Sequence, residues 1–63
     1  MSQKELLYIE DIYNHELLII HILSKTMEEC ADEKYCALLE KQLDEHENRN
    51  KKILKLLEAN CNG

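Results

Sequence analysis

Glu16 and His46 are the pair in this chain whose chemistry could be joint. A carboxylate and an imidazole that face each other can ligate a metal ion, or can hydrogen-bond as a polar layer inside a helical seam. Each interrupts an apolar series. Leu6, Ile9, Tyr13, Ile20, Leu23 and Met27 recur at spacings of three and four, with Glu16 in the gap. Leu39, Leu43, Asn50, Ile53 and Leu57 recur in the same way around His46. That spacing marks one face of a helix. Arg49 lies one turn beyond His46 and is the third candidate member of the polar layer.

Helices must position these residues. The chain has no proline and a single glycine, Gly63, so nothing interrupts a helix between Ser2 and Asn62. Leu, Glu and Lys are abundant and lose little rotamer freedom in a helix. The expected class is all-α. Ser2-Gln3-Lys4-Glu5 fits a capping box for a first helix over about 3–30. After a turn at about 31–33, Asp32 can cap a second helix over about 34–60, with Glu33 in its first turn. Asn60 to Gly63 suit its stop, and Lys51, Lys52 and Lys55 favour the negative end of its dipole. Each helix would be roughly 40 Å long. So short a connection makes an antiparallel hairpin in which residues whose numbers sum to about 62 lie side by side. Glu16 then meets His46, Ile9 meets Ile53, Ile20 meets Gln42 or Leu43, and Leu6 meets Leu56.

A lone hairpin cannot cover such a seam, because two cylinders touch along a line. With 63 residues the chain makes one small domain of marginal stability on its own. A homodimer forming a four-helix bundle is the expected solution. Ile12 and Ile19 widen the apolar arc of the first helix toward one flank, as bundle packing requires. Leu7, Leu18 and Ile22 fall on the opposite side, near Asp11 and Lys25. They are either scattered surface leucines or a second contact through which dimers join a higher assembly.

The net charge of −5 argues against nucleic-acid binding, which needs a basic surface. No basic segment precedes a hydrophobic stretch, and the apolar run Leu17 to Leu23 is broken by His21 and too short to span a bilayer. The expectation is a soluble cytoplasmic protein without a membrane span. Cys30, Cys36 and Cys61 lack metal-type spacing and are expected as reduced thiols, although a Cys30–Cys36 bridge across the turn is geometrically open. His15 and His21 are expected to face solvent, and Tyr8, Tyr13 and Tyr35 to lie in the seam or at its edge. No catalytic triad or glycine-rich phosphate loop is present, so no enzyme activity is expected.

A hairpin with Glu16 midway along its first helix, followed by the stretch from Ala37 to Asn50, resembles half of a ferritin-like four-helix bundle. In particular it is similar to the small ferritin-like spore-coat proteins, whose second helix also runs through Leu-rich turns into a Gln/Glu/His-rich segment. In metal-binding bundles of that kind each half supplies a mid-helix Glu and a Glu-x-x-His. Glu16 matches the first. The second is absent, since Leu43 precedes His46 by three and Arg49 follows it by three. Asp44, Glu45 and Glu47 point about 80° or more away from His46. Two Glu16 and two His46 in a dimer could hold one zinc-like ion but are too few for a di-iron site, and a guanidinium disfavours any cation.

The resemblance implies a non-enzymatic, self-associating structural or assembly protein linked to the spore coat. A metal-binding ferritin-like protein with its Glu16/His46 site in the dimer core is one alternative. Another is a sporulation regulator resembling the hairpin aspartyl-phosphate phosphatases, whose Ser-Gln-Glu-Leu-Asp signature Glu40-Lys41-Gln42-Leu43-Asp44 partly echoes.

Overall fold

The computed structural model describes residues 1–61, the last of them by its backbone alone. It contains α1, Gln3–Glu28, and α2, Glu33–Cys61, packed against each other as a hairpin 46 Å long and 14 by 13 Å across. Ser2 caps α1 from an extended conformation. Its Oγ accepts the Glu5 N–H at 3.2 Å, and the Glu5 carboxylate accepts the Ser2 N–H at 3.4 Å, which completes the expected capping box. Asp32 caps α2, its Oδ1 accepting the N–H groups of Lys34 and Tyr35 at 2.9 and 3.1 Å.

One boundary differs from expectation. α1 stops at Glu28, two residues early, because the N–H groups of Glu29 and Cys30 fold back to Thr26 and Met27, three residues behind. That tighter pattern ends an α-helix. At the other end α2 runs to Cys61, within a residue of the expected end, and the Asn60 side-chain amide donates to the Leu56 carbonyl at 2.7 Å. Asn62 and Gly63, which the sequence also assigned to the stop, lie outside the described residues.

The cysteines at the turn are joined. Cys30 and Cys36 form a disulfide across a Cα separation of 5.8 Å, where the sequence led us to expect thiols. The missing signal was the early end of α1, which frees Cys30 to cross the turn. A bridge closing so short a loop stabilises a fold by about 2 kcal/mol in the chain-entropy picture. Reduction of a Cys61→Ser variant should therefore lower its thermal midpoint by roughly 8 °C or more. An unchanged midpoint in differential scanning calorimetry would show that the helix caps hold the turn without the bond.

The seam between the helices is thin. Leu39 and Leu57 are the buried apolar side chains, each 7% exposed, and no described side chain is buried below 2%. Leu6, Ile9, Tyr13, Ile20, Leu23 and Met27 of α1, with Leu43, Asn50 and Ile53 of α2, are half-buried. Leu57, not Leu56, is turned inward at the open end, so the expected pairing of Leu6 with Leu56 does not extend to this end.

Candidate functional site

Midway along the hairpin the expected polar layer is present. Glu16 is the one buried charged residue among the described residues, at 7% exposure. Its Oε2 lies 2.5 Å from His46 Nδ1, and its Oε1 accepts from Arg49 Nη1 at 3.1 Å. Glu16 comes from the middle of α1, while His46 and Arg49 come from successive turns of α2. An ionised carboxylate only accepts hydrogen bonds, so His46 Nδ1 carries the proton and donates it. Charge-assisted bonds of this kind are short and roughly twice as strong as neutral ones. Asn50, one turn past His46, keeps its Oδ1 shut off from solvent without a hydrogen-bond partner. A buried acceptor left unpaired costs stability.

The hydrogen bond from His46 holds the Glu16 carboxyl below its ordinary pKa. Burial pushes the other way, and Arg49 adds a further lowering. The contribution is full above the unfolded glutamate value of about 4.3 and is lost as pH falls through the depressed folded value. Acid should therefore destabilise the wild type below about pH 4.3 more steeply than a Glu16→Gln variant. Parallel acid-unfolding curves for the two proteins, followed by circular dichroism, would contradict this.

In one chain the donor set does not fit a metal. Both Glu16 oxygens already face N–H donors, one of them a guanidinium, and the adjacent imidazole nitrogen bears a proton. A zinc-like ion wants four ligands and deprotonated ones. Among the described residues no group of three or more His, Cys, Asp or Glu is placed to hold a metal ion. What the arrangement can do is lock register, since one polar layer matches only one alignment of two apolar helices.

Two further features lie outside this layer. At the turn, a cleft of 610 Å³ is lined by Lys25, Thr26, Cys30, Asp32 and Tyr35 among others. Along one side of the hairpin runs an open apolar face. Thr26 and Tyr35 share that cleft, and Arg49 reaches Glu16, which identifies the flank of each helix that lies on this side. At about 100° per residue, Tyr8, Ile12 and Ile19 belong to it on α1, and Tyr35, Leu38, Glu45, Arg49 and Leu56 on α2. Tyr8, Ile12, Tyr35, Leu38 and Leu56 are 42–55% exposed. Sequence reasoning found Ile12 and Ile19, placed Leu56 in the seam opposite Leu6 and missed Leu38; the five helical turns that separate Leu38 from Leu56 were the available signal.

His15 and His21 are exposed, as expected; Tyr13 is half-buried, and Tyr8 and Tyr35 are open at the edge. Leu7, Leu18 and Ile22 all lie exposed on the outer side of α1. Among the described residues no helix is long and apolar enough to cross a membrane. No protein-family model, curated sequence or solved structure matches this chain.

Proposed function

We propose that the protein is a non-enzymatic, self-associating helical hairpin, a homodimeric four-helix bundle that serves as a structural or assembly component. One observation carries the reading: a row of large apolar side chains stays half-exposed on one side of a hairpin whose buried apolar side chains, among the described residues, are Leu39 and Leu57. Large apolar side chains exposed along one side mark an interaction surface, and burying them in a second copy supplies the core that one chain lacks. The Glu16–His46–Arg49 layer would then set register at the bundle's centre. A ferritin-like ancestry and a place in the spore coat or the cell that builds it extend this reading by resemblance. The Cys30–Cys36 disulfide weighs against the cytoplasmic setting expected from the sequence, since such bonds persist in oxidising surroundings.

Light scattering on the purified protein tests the association. Twice the chain mass of 7.5 kDa at micromolar concentration supports it, and a folded particle of 7.5 kDa defeats it. Higher assembly through Leu7, Leu18 and Ile22 has its own test. Replacing all three with Lys should leave the dimer intact and remove larger species from the scattering profile. If the triple variant unfolds, these side chains belong to the core.

A further inference from the structure

We propose that the two copies join with their turns at opposite ends, α1 on α1 and α2 on α2, so that Glu45 of each copy reaches Arg49 of the other and extends the central polar layer across the interface. This rests on the dimer proposed above and states its orientation.

Two orientations bring the open faces together with every neighbouring helix antiparallel. With the turns at the same end, α1 of one copy covers α2 of the other. Ile12 and Ile19 then fall at the level of Gln42, Glu45, Arg49 and Asn50, which sets apolar side chains against two amides and two charges. With the turns at opposite ends, a two-fold axis crosses the middle of the hairpin. Ile12 then faces Ile19 of the second copy, Leu38 faces Leu56, and Glu45 faces Arg49.

These pairings agree on where the axis lies. The point midway between Ile12 and Ile19 falls between His15 and Glu16 on α1. The point midway between Leu38 and Leu56 is Glu47, and so is the point midway between Glu45 and Arg49. Glu16 is bonded to His46, the neighbour of Glu47, so both points sit at one height in the hairpin. A single axis therefore serves α1 and α2 at once. The charges also match. Arg49 gives one N–H to Glu16 and keeps 56% of its side chain exposed, while Glu45 has no ion-pair partner among the described residues. Its guanidinium has further donors in a fixed fork for a second carboxylate.

The test is a distance between spin labels placed at Gln3→Cys in a Cys61→Ser background. Gln3 lies about 12 residues from the axis, so opposite-end turns put the labels about 40 Å apart at 1.5 Å per residue. Turns at the same end put both labels at one height, within about 25 Å across a bundle whose helices are 8–10 Å apart. Pulsed dipolar spectroscopy should give the long distance. The short one overturns the orientation and leaves the dimer standing, whereas a monomer by light scattering overturns both. As a second readout, Glu45→Arg sets guanidinium against guanidinium and should weaken the dimer about tenfold or more. An affinity within twofold of wild type, with helicity retained, would remove the Glu45–Arg49 contact and with it the proposal.

Discussion

Replacing Ile12 and Ile19 together with Glu should dissociate the protein and melt most of its helix in one step. Each isoleucine buried in a bundle contributes about 1.5–3 kcal/mol. A symmetric dimer loses that contribution at four positions and places four carboxylates in apolar surroundings. Affinity should fall by more than about a thousandfold, at 1.4 kcal/mol for each factor of ten. Among the described residues the separated hairpin keeps only Leu39 and Leu57 as buried apolar side chains, too little to hold two helices of 26 and 29 residues. Sedimentation equilibrium and circular dichroism on the same sample check both parts. A variant that stays dimeric and helical would show that the open flank of α1 is not the interface.

Replacing His46 with Leu should leave Glu16 Oε2 without its donor in the seam, with Arg49 still on Oε1, at a cost of roughly 1–3 kcal/mol. For a domain of this size that is a drop of roughly 4 °C or more in the thermal midpoint. Replacing both Glu16 and His46 with Leu should recover most of the loss or exceed wild type, because apolar substitutes for buried polar pairs are often neutral or stabilising. Register should loosen as the layer disappears. A metal shared between two copies predicts otherwise: chelator would destabilise the wild type, and either single substitution would abolish that response. Thermal unfolding of the wild type, both single variants and the double variant, each with and without chelator, separates the two. Identical midpoints for all four proteins would mean that the Glu16–His46 pair contributes nothing.

The polar layer was legible because helix periodicity is strict. A carboxylate in the gap of one apolar series and an imidazole at the centre of the other can meet only if the hairpin closes at the turn that Asp32 caps. The Glu16–His46 and Glu16–Arg49 contacts follow from that alignment. The turn was read less well. Where α1 ends depends on backbone groups folding back by three residues and on Cys30 bonding Cys36, neither of which periodicity encodes. Leu56 and Leu57 mark the same limit: adjacent leucines at a helix end differ by about 100°, and a small drift in crossing decides which one turns inward. Leu38 escaped notice, and Leu56 was assigned to the seam, because each adjoins a leucine, Leu39 or Leu57, that is the one turned inward. Leu38 and Leu56 form a face only once α2 is laid beside the flank of α1 that carries Tyr8 and Ile12.

Self-association is the claim on which the functional reading stands, and sedimentation equilibrium across micromolar concentrations tests it most directly. The expected result is a single helical species of twice the 7.5 kDa chain mass, dissociating on dilution together with its helicity. A species of 7.5 kDa that keeps its full helicity at every concentration would contradict it, because the hairpin would then be stable with its apolar face in water.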